Sequence, residues 1–358
     1  MHYIDTPGAW NSKGNIKDIT GVGIFTNLEG LTVEGERLSW VPDLSSMPDL
    51  RTIKFSYNYL ITLPDWSSLV NLENIYVASN MLSELPPLAS LVGLRGLHAG
   101  QNQLASLPDM TGLTQIGMLD VYRNNLTEIT GTASMSQLFY LSIGNNNFDA
   151  LPDISAATGS LRTLYCEQNN ISSIPDLTPY TQLAYLNIRG NNISSVTGLP
   201  TLTLMEMVDV GHNPISTLGD LSGLDAMYQF SVESTDIAVI EGLGDMDSLI
   251  MFYCDDTLIA DLTPLNGKTG FLRLMCNNCP GIIPPDFTGW TSLQRFGCRS
   301  CELNDIPDVT DCTALYYYDC AGNNFGPDDC PLIQTIEAMG ISGFFYNPQY
   351  DNSTLVCP

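Results

Sequence analysis

A spacing of 22 residues governs this sequence. The pattern L-x-x-L-x-L-x-x-N-x-L-x-x-L-P-D begins at Leu28, Leu50, Leu72, Leu94, Ile116, Leu138, Leu161, Leu183, Met205, Met227, Leu249, Phe271, Leu293 and Leu315. Twelve of the thirteen intervals are 22 residues, and the other is 23, with its extra residue in the loop Ser155–Ser160. A chain of 358 residues would ordinarily divide into two or three domains. A short exact repeat overrides that expectation, because each copy can bury its apolar face only against its neighbours.

The first residue of each repeat is taken as position 0. In the third repeat positions 0, 3, 5, 8, 10 and 13 are Leu72, Ile75, Val77, Asn80, Leu82 and Leu85. Positions 2 to 6 alternate in and out, as a strand must. Stacked strands would then form one parallel sheet with a rung every ~4.8 Å, and fourteen coils would span roughly 65 Å. Position 8 is Asn in nine repeats, including Asn58, Asn80 and Asn146. There the chain leaves the strand, and a buried amide can satisfy the backbone groups that lose ladder partners. Glu36 departs from this column, implying a partly solvated first coil. Pro and Asp hold positions 14 and 15, and Asp43, Asp65 and Asp109 read as caps of short turns rather than calcium ligands.

This consensus resembles the leucine-rich repeat, and the wording near both ends is similar to bacterial surface and internalin-like repeat proteins. The resemblance implies a mostly β solenoid of the α/β type. It would be a right-handed arc with one long parallel sheet on the concave face and turns or short 3-10 segments on the convex face. Residues 1–27 read as an N-terminal half-repeat cap, with Ile16 and Ile19 in core positions and Trp10 as a plug. Fourteen repeats occupy 28–336, and 337–358 read as a C-terminal cap with a degraded strand within Gly340–Gln349.

A net charge of −26, from 39 acidic and 13 basic residues, excludes phosphate-backbone binding as a main activity and disfavours anionic membranes. No apolar run reaches 18 residues, so no membrane insertion is expected. The start, Met1-His2-Tyr3-Ile4-Asp5, lacks the basic and apolar regions of a signal peptide.

Three constellations invite chemistry. Cys276, Cys279, Cys298 and Cys301 have zinc-like spacing. The 22-residue ruler also places them in the buried columns at positions 5 and 8, which favours buried thiols over a Cys279–Cys301 bridge or a metal, and no cofactor is expected. Cys312, Cys330 and Cys357 fall outside those columns. A Cys330–Cys357 bridge would close about 27 residues and contribute about 3 kcal/mol, but spacing leaves it open. His98, Asp120 and Ser142 follow one another at position 4, the residue types of a serine hydrolase. The acid lies between base and nucleophile, which would stand two rungs apart, so no enzyme is expected.

The third constellation is the strand face. Met118, Tyr140, Tyr185, Met207 and Met251 hold position 2, with Tyr122, Tyr165 and Tyr253 in neighbouring columns. A stripe of Met and Tyr expected to face solvent marks a contact surface. Arg273 and Arg295 stack at position 2 with Arg299 nearby, and like charges one rung apart call for carboxylates, from Asp255, Asp256 and Asp319 or from a partner. Six of the 13 basic residues fall on this face against about eight acids, leaving it near neutral in an acidic chain. The sequons at Asn125, Asn170, Asn192 and Asn352 matter only in a eukaryotic secretory pathway.

These features point to a non-catalytic binding or adhesion module, extracellular, at a cell surface or in a virion. Its partner would be a protein, less readily a glycan, and not a nucleic acid. The alternative is a decoration or fibre component of a virion or extracellular assembly, with self-assembly possible.

Overall fold

A strand of three residues recurs at positions 2 to 4 of the repeats, and it is the unit from which this protein is built. The computed structural model describes residues 3–5, 14–347, 349 and 354–357. Trp10 and Asn352 lie outside them. The chain divides into two compact units, Met1–Ile174 and Pro175–Pro358.

The first unit carries β1 (Tyr3–Asp5), β2 (Gly30–Thr32), β3 (Thr52–Lys54), β4 (Asn74–Tyr76), β5 (Gly96–His98), β6 (Met118–Asp120), β7 (Tyr140–Ser142) and β8 (Thr163–Tyr165). Each pairs in parallel with its sequence neighbours within the unit, in the register of the repeat, as in Ile53↔Ile75 and Leu97↔Leu119. β1 pairs Tyr3 with Gly30, a rung that no leucine pattern announces. The second unit carries β9 (Tyr185–Asn187), β10 (Met207–Asp209), β11 (Gln229–Ser231), β12 (Met251–Tyr253), β13 (Arg273–Met275), β14 (Arg295–Gly297), β15 (Tyr317–Asp319) and β16 (Gly343–Phe345), likewise parallel and in register. The single α-helix among the described residues is α1 (Cys330–Ala338). Both units are leucine-rich-repeat coils. Among the described residues no helix is long and apolar enough to cross a membrane.

The strands are shorter than the alternation predicts, but ladder bonding continues past them. The position 5 N–H of Phe55 donates to Tyr76 O at 2.7 Å, and the position 7 N–H of Gln101 donates to Tyr122 O at 2.6 Å. Holding this second bond fixes position 7 in left-handed backbone. Tyr57 (φ 62°), Ser79 (55°), Gln101 (56°), Arg123 (55°) and Asn145 (54°) adopt it without being glycine. An L-residue there costs roughly 1–2 kcal/mol, so the ladder overrides local preference.

The core holds two columns beyond those read from the sequence. Position 16 (Leu44, Trp66, Leu88, Met110) and position 19 (Met47, Leu69, Leu91, Leu113) are buried. They are joined by i→i−3 hydrogen bonds such as Leu69 N to Trp66 O at 2.9 Å. This 3-10 geometry turns three residues per turn, so apolar groups three apart share a face. Each fully buried leucine contributes about 1.5–3 kcal/mol. Cys312, outside the cysteine columns at positions 5 and 8, occupies position 19 and is buried there.

The position 8 amides behave as required. Asn146 Oδ1 accepts the Leu126 N–H at 2.9 Å, and its Nδ2 donates to Val121 O and Ile143 O. Glu36 is buried rather than solvated, because its carboxylate takes the Ile16 N–H at 2.9 Å and so performs the acceptor half of the same task. The position 15 aspartates cap turns, as Asp43 does by accepting the Ser45 N–H at 2.9 Å. Where Gly242 replaces Asp, its φ is +80° and an added Cβ would collide with the Ser222 backbone, so neither a side chain nor another residue type fits.

At the far end of the second unit, α1 starts with Pro331 in its first turn, where the missing N–H costs nothing. It buries Ile333 and Ile336, and Asp329 Oδ1 ties its start to the Ile306 N–H at 2.9 Å. Cys330 and Cys357 are joined by a disulfide, with Cα atoms 5.2 Å apart. Beside them Phe344 of β16 stacks on Tyr318 with centroids 5.3 Å apart.

Candidate functional site

Position 3 of each strand turns inward, so positions 2 and 4 share the opposite face, and the burial pattern of β6, β9, β10 and β12 alternates accordingly. In the first unit this face brings Met118 and Tyr140 into register, and Tyr140 packs edge-on against Tyr165 with centroids 6.0 Å apart. Met118, Tyr122, Tyr140 and Tyr165 are half-buried rather than fully exposed, because rungs this close let large side chains cover one another. Burial pushes the Tyr140 hydroxyl up to about 12, with Asp120 adding to the rise.

His98, Asp120 and Ser142 stand in consecutive registered positions. His98 stacks flat on Tyr76 at 4.3 Å, and burial lowers its pKa. Asp120 Oδ1 accepts the Tyr122 N–H at 3.1 Å, so it serves the backbone. The order leaves base and hydroxyl separated by the acid, as the sequence indicates.

In the second unit Tyr185, Met207, Gln229, Met251, Arg273 and Arg295 form one registered column. The Tyr185 hydroxyl donates to the Glu206 carboxylate. Tyr253 lies on the neighbouring column, its hydroxyl 3.8 Å from Met251 Sδ. Tyr185, Met207, Met251 and Tyr253 are half-buried, like their counterparts in the first unit.

The arginines find fewer carboxylates than the sequence offers them. Arg299 pairs with Asp319 at 3.5 Å. Asp255 instead accepts the backbone N–H of Asn277 at 2.6 Å, and Asp256 accepts from Asn278 at 2.9 Å. The nearby Tyr253 hydroxyl raises the Arg273 pKa, and the Arg295 guanidinium lies 4.6 Å above the Tyr317 ring. Among the described residues neither has a carboxylate within ion-pairing distance, although Arg273 and Arg295 are direct register partners. Arg295 Nε is buried without a hydrogen-bond partner.

The cysteines with zinc-like spacing are core groups. Cys279 Sγ donates to Cys254 O at 3.0 Å and Cys301 Sγ to Cys276 O at 2.9 Å, copying the bond that Asn Nδ2 makes to the preceding coil. Burial raises the Cys254 and Cys298 thiols well above the ordinary range. Among the described residues no group of three or more His, Cys, Asp or Glu is placed to hold a metal ion.

Sequence reasoning missed an ion-pair network on this face. Arg189 lies 3.6 Å from Asp209 and pairs with Glu233 two coils on. The signal was Gly211 in a column of long polar side chains, a clearance through which one of them can pass.

No protein-family model matches the chain, and no curated protein matches it. Solved structures do. A leucine-rich-repeat protein of Leptospira interrogans is 18% identical with a TM-score of 0.73, over 92% of this chain and 93% of that one. The functional domain of InlJ from Listeria monocytogenes, which includes a cysteine ladder, is 25% identical with a TM-score of 0.79, over 90% of this chain and 69% of its own. The Arabidopsis receptor kinase HAESA, in complex with the peptide hormone IDA and the co-receptor SERK1, is 19% identical with a TM-score of 0.72, over 85% of this chain and 55% of its own. The fold is that of a leucine-rich-repeat protein, and the internalin-like resemblance is supported.

Proposed function

We propose that the chain is a non-catalytic protein-recognition and adhesion module that uses the strand faces of its coils. The observation that carries this reading is the set of half-buried, strand-face side chains Tyr185, Met207, Met251 and Tyr253 on one registered surface. Large, amphipathic side chains held by their neighbours lose little entropy when a partner covers them. Met118, Tyr122, Tyr140 and Tyr165 extend the same role to the first unit. Arg273, Arg295 and Arg299 favour a partner that brings acidic groups, since two registered guanidiniums without carboxylates repel until one is supplied. The complex of HAESA with its peptide hormone and co-receptor supports a protein or peptide partner, while a likeness of fold alone does not fix function.

The Cys330–Cys357 disulfide and the likeness to an internalin domain support an extracellular or cell-surface setting. The test is a triple variant, Tyr185→Ser, Met207→Ser and Tyr253→Ser, assayed by calorimetry against each protein shown to bind the parent chain. At least a tenfold loss of affinity with an unchanged melting temperature is expected. Unchanged affinity for every partner sinks the reading.

A further inference from the structure

The first unit carries a second surface feature, remote in sequence from the Met and Tyr stripe. A trough of about 400 Å³ opens on the strand face between β1 and β4. Along position 2 it is bounded by Tyr3 and Asn74, with Gly30 and Thr52 registered between them. Along position 4 it is bounded by Lys54 and Tyr76. Both ends of the trough are aromatic, its floor is small and polar, and it holds one cation.

Tyr3 is placed by what Gly30 lacks. A Cβ on Gly30 would stand 2.5 Å from Tyr3 Cδ1 and 2.9 Å from Cε1, so the ring lies across the glycine. Tyr3 is 66% exposed, and it presents an aromatic surface to anything in the trough. Tyr76 is fixed from behind by His98, stacked at 4.3 Å with only 9° between planes, and Lys54 Nζ lies 5.1 Å from the Tyr76 centroid. Among the described residues Lys54 has no carboxylate within ion-pairing distance, in a chain with 39 acidic residues. The Thr52 hydroxyl and the Asn74 amide make no hydrogen bond to a described residue. A flat aromatic surface, a hydroxyl and an ammonium without a carboxylate partner thus line one space, with Asn74 at its edge and the Asn74 Oδ1 turned toward Gly96 of β5.

The chemistry discriminates among ligands. A peptide side chain that anchors an interface wants a deep apolar pocket, and this floor is polar. A phosphate wants a fork or cluster of cations, and a single lysine in a chain of charge −26 is a poor match. A sugar ring offers a C–H face to Tyr3 and hydroxyls to Thr52 and Asn74, and a carboxylate on it would meet Lys54 in a charge-assisted bond. The volume falls toward the low end of small-ligand sites, roughly 300–1,000 Å³. We propose that the trough between Tyr3 and Tyr76 is a binding subsite for a saccharide whose ring bears a carboxylate, as sialic and uronic acids do.

The experiment titrates the full chain with 3′-sialyllactose, with a glucuronic-acid disaccharide and with lactose, read by ligand-observed NMR and calorimetry. One of the acidic sugars is expected to bind at least tenfold more tightly than lactose, and which one identifies the source of the carboxylate. Lys54→Met should weaken that sugar at least tenfold and leave lactose unchanged. Tyr3→Ala should weaken it by a similar factor. Neither side chain is in the core, so both variants should melt with the parent. Failure of both acidic sugars to bind, binding equal to that of lactose, or binding indifferent to Lys54→Met overturns the proposal. The variants leave Tyr185, Met207 and Tyr253 untouched, so the outcome is independent of the protein-binding reading.

Discussion

The guanidinium of Arg189 passes over the backbone of Gly211 to reach the Glu233 carboxylate, two coils further along the second unit. It can do so because Gly211 has no side chain. A Cβ there would stand 2.8 Å from Arg189 Nη1 and 3.0 Å from Glu233 O. Arg189 is thereby the cation that two acids, Asp209 and Glu233, share on the strand face, and Asp255 lies next to Glu233 without a cation of its own. Gly211→Ala should destabilise the chain by about 1–3 kcal/mol through this crowding. Arg189→Met should cost about as much by leaving partly buried carboxylates uncompensated. Combined in one chain the two substitutions should cost less than their sum, because they break the same contact. Additive losses in chemical denaturation would contradict the arrangement.

Asp255 gives the network a pH dependence of defined sign. Burial pushes its carboxyl up to about 6, with Glu233 and Asp256 adding to the rise and the Asn277 N–H opposing it. The folded value exceeds the ordinary one, so the folded chain binds more protons between about pH 4 and pH 6. Stability should fall as pH rises through that window. The cost at neutral pH is about 2–3 kcal/mol for a shift of this size. Asp255→Asn keeps an oxygen acceptor for the Asn277 N–H, so it should raise stability at pH 7.5 and change little at pH 4.5. Denaturation at the two pH values checks this, and an equal effect at both would count against it.

The position 8 column can be tested at Asn146, whose amide joins two coils through four hydrogen bonds. Asn146→Ala should cost about 2–4 kcal/mol, since it orphans several buried backbone groups. Asn146→Cys should cost less, because Cys279 shows that a sulfur can still donate to the preceding coil. If both variants melted together, the donor bond would be shown to contribute nothing.

Left-handed backbone at position 7 makes a different demand. Gln101→Val should lose about 1–3 kcal/mol, since a branched side chain suits φ 56° poorly. Gln101→Gly should stay within about 0.5 kcal/mol of the parent, as relief of strain is offset by the freer unfolded chain. Thermal unfolding of the pair separates backbone strain from loss of the exposed glutamine.

What was legible in the sequence was whatever the repeat dictates by itself. The inward positions held by Ile75 and Val77, and the amide column of Asn58 and Asn80, follow from period and turn chemistry. The position 16 and 19 columns were obscured because Trp66, Thr132, Tyr180 and Cys312 share burial but not residue type. β1 was hidden because Tyr3-Ile4-Asp5 stands 27 residues before its partner strand rather than 22. Helix α1 could have been seen in Pro331 with Ile333 and Ile336 three apart. On the strand face, residue type located Tyr185 and Met207 but not how far neighbours cover them, which depends on rotamers packed across rungs. The partners of Arg189 and Asp255 were unreadable for the same reason, since each reaches past its own coil.

The most direct test of the central claim places a photo-crosslinking amino acid on the chain and asks which face a partner touches. It would replace Met207 or Tyr185 on the strand face of the second unit, or Val239, which is 70% exposed and off the strands of the same unit. With a purified binding protein, strong crosslinks from Met207 and Tyr185 and none from Val239 are expected. Crosslinks from Val239 with silence at the other two would contradict the account.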